Sequence, residues 1–167
     1  FPYTTLFRSL ALNFRMINKA FSDTETPFQR LPKYLKDSVR TDLWNRQQCS
    51  SGLGIRFATD SKRVGLRYTL LWDTHMFHMA DTGLKGMDLY ILNDEGRWEY
   101  VNTNRPIADK KTKSCEKIFV ENLDGRMHEY LIYLPLYDGV TKMEIAVDEQ
   151  STIQQPLVNN PKVGEKD

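Results

Sequence analysis

Cysteine is scarce in this chain: Cys49 and Cys115 are the two among 167 residues. Two thiols make no disulfide framework and have no metal-ligand spacing, so stability has to come from an apolar core. They could pair with each other, but two separate thiols is the simpler reading. No apolar run approaches the ~20 residues of a membrane-spanning helix. An excess of one charge is missing as well. Lys+Arg number 23 and Asp+Glu 22, a net charge of +1, which argues against a nucleic-acid partner, since that partner selects a basic surplus. No segment reads as a long helix, and no residues group as a cofactor site. What is present is a hydrophobic fraction of 40% with 11% aromatics. At this length that suffices for one core and not for two.

The first nine residues stand apart. Phe1 to Ser9 reads, residue for residue, as the translation of a common short-read sequencing adapter. The segment is set aside as an artefact with no expected part in folding. After it, period-two patterns dominate. Residues 10–21 read as an irregular first strand, with Leu12, Phe14 and Met16 alternating with Asn13, Arg15 and Ile17. Pro27 and Pro32 bracket an extended segment. Tyr34 to Ser38 reads as one helical turn, and Val39 to Trp44 alternates as the next strand.

Leu53, Ile55 and Phe57 then share one strand face, and Val64, Leu66, Tyr68 and Leu70 another, with Asp60-Ser61-Lys62 as the turn between them. Residues 72–85 hold large side chains without a period, which marks a functional loop on a rigid scaffold. Lys117 to Glu121, Met127 to Leu134 and Thr141 to Val147 read as the last strands. Met127 to Leu134 is apolar on both faces, as in a strand covered on both sides. Residues 151–167, with Gln154-Gln155-Pro156 and Asn159-Asn160-Pro161, have linker composition. Strands separated by turn signals predict an all-β, two-sheet antiparallel sandwich over residues 10–150.

The sharpest pattern is a hairpin. In Gly86-Met87-Asp88-Leu89-Tyr90-Ile91-Leu92, Met87, Leu89 and Ile91 fall on one face and Asp88 and Tyr90 on the other. Asn93-Asp94-Glu95-Gly96 supplies the turn, and Arg97 to Val101 returns with Trp98 and Tyr100 on one face. Gly-x-Asp-Leu-Tyr, an acidic turn and Trp-x-Tyr-Val together resemble the signature of the GxDLY domain. Arg30-Leu31-Pro32, Val39-Arg40 to Leu43-Trp44, Gly52 to Phe57 with Asp60-Ser61, His78 to Gly83, and Tyr130 to Tyr137 with Met143-Glu144-Ile145 are similar to the same family in the same order. The resemblance covers most of residues 12–150. It implies the N-terminal, jelly-roll-like β-sandwich of a bacterial SGNH/GDSL-type esterase. It also implies a catalytic hydrolase domain following at the C-terminal side, with this chain stopping about where the nucleophile strand begins. A periplasmic or secreted location follows from the resemblance as well.

Catalysis is not expected within the chain. It contains no Gly-Asp-Ser, no Gly-Thr-Ser and no Gly-x-Ser-x-Gly elbow. Asp124 and His128 resemble an Asp–His dyad, but the spacing is one residue too long and the Asp sits in a turn. Asp73, His75 and His78 fall short of a metal site, which needs three or four converging ligands. Asp60-Ser61 reads as a turn cap. Asp88, Tyr90, Trp98 and His78 are expected to form a polar-aromatic patch that holds the Trp72–Gly83 loop, Trp72 included, against the catalytic domain. The other candidate is a sugar-stacking platform built from Trp44, Trp72, Trp98, Tyr100, Tyr133 and Tyr137. That would make the chain an independent polysaccharide-binding module. A coplanar exposed row of rings favours that reading, and a mixed apolar patch favours docking.

Overall fold

Among the described residues, ten strands and two short α-helices build the domain. The computed structural model describes residues 6–157, with residues 6–9 as backbone alone. The four-stranded sheet has the order β1 (Leu6–Leu10), β9 (Val140–Asp148), β4 (Val64–Leu70), β7 (Ser114–Val120). The larger sheet runs β10 (Ile153–Gln154), β3 (Gly54–Thr59), β8 (His128–Tyr133), β5 (Asp88–Leu92), β6 (Trp98–Thr103), and β2 (Arg15–Ile17) also pairs with β3. All pairings are antiparallel. The predicted all-β sandwich is therefore the fold.

The core lies between the sheets, where the period-two residues meet. Leu66, Tyr68 and Ile145 of the small sheet and Phe57, Tyr130 and Leu89 of the large one are each at most 1% exposed. Phe57 stacks on Tyr130 with ring centroids 5.5 Å apart. Burial pushes the Tyr130 phenol up to about 12. Met127 to Leu134 is apolar on both faces for the expected reason. Tyr130 and Ile132 face the core, while Leu131 is covered on the outer face by its neighbours. A Cβ on Gly54 would stand 2.9 Å from Leu131 Cδ1 and 3.0 Å from Ile17 Cγ1, so the bare backbone there is what lets those side chains close over β3.

Four expectations change. Val39 to Trp44 is not a strand: α1 (Thr41–Gln47) occupies it. Its apparent alternation fails because Leu43 is 44% exposed, whereas Trp44 and Gln47, three apart on one helix face, are buried. Residues 10–21 give a 3-10 turn at Ala11–Asn13 and the short β2 in place of one strand. Residues 72–85 contain a helix, α2 (Asp81–Lys85). The sandwich also runs past residue 150, because β10 pairs with β3 inside the expected linker; residues 158–167 lie outside the described residues.

The set-aside segment changes too. Leu6–Leu10 forms β1 and pairs with Glu144–Asp148 of β9, so residues 6–9 take part in the sheet; residues 1–5 lie outside the described residues. Backbone pairing does not require side chains chosen for a core, and β9 offers an edge that some strand can cover. Deletion of residues 1–9 is therefore expected to lower the unfolding free energy by more than the ~0.5 kcal/mol of an ordinary surface change, and the urea midpoint with it. An unchanged midpoint in equilibrium denaturation would show that β1 adds nothing.

Candidate functional site

The β5–β6 hairpin, the 72–85 segment and the Leu134–Asp138 turn meet at one end of the sandwich. Buried polar groups fix them there. Asp138 is fully buried. Its Oδ1 accepts the N–H groups of Trp72 (3.1 Å) and Gly139 (2.8 Å), and its Oδ2 accepts that of Thr74 (2.7 Å). Tyr137 N–H donates to the Leu84 carbonyl (2.8 Å), tying the turn to α2. A buried carboxylate is stable where donors replace its water, and backbone N–H groups do that here.

Lys85 is the second anchor. Its side chain is 1% exposed, and its ammonium pairs with Asp73 and with Asp81 Oδ2 at 3.3 Å. It also lies 3.2 Å from His75 Nε2, while His75 Nδ1 is 3.1 Å from Asp81. Burial alone would lower the Lys85 pKa. The hydrogen bonds and charges of Asp73 and Asp81 outweigh it, and the pKa is raised. Asp73 takes a φ of 60° to reach this position. The loop is therefore held by Asp138 and Lys85, residues that the sequence reading passed over. Lys85 had one legible signal, its i,i+4 spacing from Asp81.

The letters of the hairpin motif acquire separate physical reasons. A Cβ on Gly86 would collide with the Thr82 carbonyl oxygen and lie 3.2 Å from that of Asn104, so the turn from α2 into β5 demands glycine. Met87 N–H donates to Asn104 Oδ1 (2.6 Å), and Asn104 Nδ2 donates to Tyr68 OH (2.7 Å), which staples the motif to β4 in the facing sheet. Burial drives the Tyr68 phenol pKa well above its ordinary range. Leu89 fills the core. Asp88 accepts the Thr103 hydroxyl at 2.5 Å, and Tyr100 OH is 2.7 Å from that same Thr103 oxygen. Tyr90 stands edge-on to Tyr100 and Tyr133, each 5.7 Å away. Burial, with Asp88 nearby, raises the Tyr90 phenol.

Asp88 and Tyr90 thus lie on the outer face of the large sheet. Asp88 opens onto a hollow of about 430 Å³ whose wall includes Thr82, Gly83, Thr103, Tyr133 and Leu136. Thr82 and Gly83, near the end of the 72–85 segment, line the same hollow as Asp88. The other three site residues sit elsewhere. Trp98 lies over the Arg56 guanidinium (5.6 Å), covering the buried Arg56–Glu129 ion pair. His78 is exposed in the turn between Met76 and Met79, edge-on to Phe77 at 4.8 Å. Trp72 is 40% exposed and is held through its backbone.

The remaining sequence candidates have local roles. His128 Nε2 lies 2.9 Å from Asp124, whose carboxyl is held well below its usual range first by the Arg126 backbone N–H and then by the Arg126 side chain. Ser61 donates to the Arg63 carbonyl and to Asp148, closing the turn after β3. Cys49 and Cys115 are free thiols. No helix among the described residues is long and apolar enough to cross a membrane.

Comparison with known proteins agrees with this architecture. The family model for the N-terminus of SGNH-hydrolase-type esterases, GxDLY, matches residues 5–153. No curated protein matches the sequence. Among solved structures, a GDSL-like lipase from Bacteroides ovatus is similar over 90% of this chain and 43% of its own, with a TM-score of 0.82 and 26% identity. The salicylyl-acyltransferase SsfX3 from a tetracycline biosynthetic pathway is similar in fold, with a TM-score of 0.51 and 12% identity over 78% of this chain and 34% of its own.

The Lys85 anchor gives a test. Lys85→Met leaves Asp73 and Asp81 without their cation and is expected to cost about 2 kcal/mol, less than a fully buried pair because Asp81 is partly exposed. A group with a raised folded pKa stabilises fully below its unfolded value. The wild-type advantage should therefore hold at pH 7 and shrink as pH rises past ~10.4. Urea denaturation of both proteins across pH checks this; equal midpoints at pH 7 would contradict the anchor.

Proposed function

The chain belongs to the GxDLY family, the N-terminal domains of SGNH-hydrolase-type esterases, and from that premise we propose that it is the non-catalytic docking module of such an enzyme. Its partner is a C-terminal hydrolase domain of the same protein. The loop end of the sandwich meets that domain and shapes the rim of its substrate cleft.

One observation carries this reading: the loop end gathers exposed apolar side chains on a rigidly pinned frame. Phe77 is 102% exposed, Leu136 51%, Trp72 40% and Tyr137 38%. Leu136 stands beside the Asp88 hollow, so apolar and polar groups alternate across the surface. Surfaces of this mixed kind serve domain contacts. Rigidity matters because a preordered surface loses little entropy on docking.

The polysaccharide-binding alternative has less geometric support. Tyr90 crosses Tyr100 at 74° and Tyr133 at 89°. Trp44 is buried and Trp98 covers an ion pair. These rings do not make the coplanar row on which a sugar chain would stack. The absence of the nucleophile motifs supports a non-catalytic role, and the Asp124–His128 pair is accounted for by its turn.

Two measurements test the proposal. The isolated chain should hydrolyse p-nitrophenyl acetate no faster than a heat-denatured sample; activity that His128→Ala removes would refute the non-catalytic reading. In the full-length esterase, Leu136→Asp should split a shared thermal transition into two. The same substitution in the isolated sandwich should shift stability by less than ~0.5 kcal/mol, because the side chain is exposed. An unsplit transition would place the interface elsewhere.

A further inference from the structure

A second hollow, of about 230 Å³, lies on the other side of Leu136 and is lined by Arg30, Arg46, Cys49, Ser51, Leu136 and Tyr137. Two arginines line it, and the charges of both act on Cys49. Arg30 Nη2 donates to the Arg46 carbonyl at 2.7 Å, and neither arginine pairs with a carboxylate among the described residues. Asp138 is close enough to act on Cys49 together with both arginines. Its oxygens, however, are taken by the backbone N–H groups of Trp72, Thr74 and Gly139. Burial raises the Cys49 thiol even though both arginines pull the other way, so the thiol stays neutral and supplies no counter-charge.

An independent observation points to the same corner. Four buried side-chain polar atoms lack a partner among the described residues, and three of them belong to Gln29, Arg30 and Gln47. Gln29 is 5% exposed and Gln47 1%. Gln47 Oε1 accepts the backbone N–H groups of Arg30 (3.3 Å) and Leu31 (3.1 Å), which fixes Arg30 against the end of α1. Two of the three unpaired atoms, Arg30 Nε and Gln47 Nε2, are donors. Buried donors are rarely left without an acceptor, and Arg30, which carries one of these two, lines the hollow.

We propose that this hollow is a carboxylate-binding site, with the anion between Arg30 and Arg46 and an apolar body against Leu136 and Tyr137. A guanidinium fork matches a planar carboxylate in two parallel hydrogen bonds, and the Ser51 hydroxyl adds a further donor. The volume is below the ~300–1,000 Å³ of most small-molecule pockets, which fits a short acid or a single acidic side chain. That chemistry has two sources: a free acid of the kind ester cleavage releases, or an Asp or Glu of the docked hydrolase domain. Arg30-Leu31-Pro32 thereby gains a role beyond capping α1.

The test uses the chain itself, ¹⁵N-labelled, with sodium butyrate or N-acetylglutamate α-amide added against sodium chloride at constant ionic strength. The Arg30 Nε–H signal and the Ser51 amide are expected to shift saturably with the carboxylates and not with chloride. Arg46→Gln, which alters an exposed side chain, should weaken binding at least tenfold, and Arg30→Lys should do the same while preserving the charge. Tighter binding of butyrate assigns the free acid, and tighter binding of the glutamate amide assigns a partner side chain. Shifts that follow chloride equally, fail to saturate or survive Arg46→Gln would overturn the site. None of these samples contains the hydrolase domain, so the outcome is separate from that of the docking proposal.

Discussion

The buried carboxylate of Asp138 is the constraint on which the loop end of the domain depends. Its desolvation is unfavourable unless donors surround it, and the donors present are backbone N–H groups of Trp72, Thr74 and Gly139. Satisfying Asp138 therefore fixes the path of a segment that has no regular structure of its own where it leaves β4. The Asp138 carbonyl also accepts Ser50 N–H, which draws the turn after α1 into the same frame. One residue thus links the turn before β9, the start of the 72–85 loop and the approach to β3.

Lys85 completes the arrangement from the other end of that loop. An ammonium with 1% exposure holds Asp73 near the loop's start and Asp81 at the start of α2. Gly86 follows directly, in the one place where a side chain would strike the Thr82 backbone. The hairpin motif is consequently a junction. Its glycine permits the turn from α2, its leucine enters the core, and its aspartate and tyrosine face outward into a network with Thr103, Tyr100 and Tyr133.

This division of labour explains how apolar groups come to stand exposed at the loop end. The core between the sheets is filled by alternating residues, and Leu136, Trp72 and Phe77 lie outside it. They are displayed by a frame whose polar anchors lie beneath them. An apolar surface held in place this way loses little entropy when another surface covers it.

The strands were legible in the sequence because a period of two, broken by turns such as Asp60-Ser61-Lys62 and Asn93 to Gly96, has one reading when one face must be buried. Met87 and Leu89 facing in, and Asp88 and Tyr90 facing out, followed from that alone. Periodicity failed at Val39 to Trp44, where a short segment fits two patterns and burial of Trp44 with Gln47 chose the helix. Residues 6–9 were missed for another reason: they were set aside on their likeness to adapter sequence, and backbone pairing with β9 needs no side-chain pattern. The loop anchors were invisible for a different reason. Asp138 lies 66 and 64 residues from the N–H groups of Trp72 and Thr74 that it accepts, and nothing local to a turn aspartate distinguishes one at the surface from one that is buried. The sequence by itself determined the two sheets and the facing of their residues, because alternation is a local property. Only the tertiary structure decided which polar groups lost their water, and those groups place the loop.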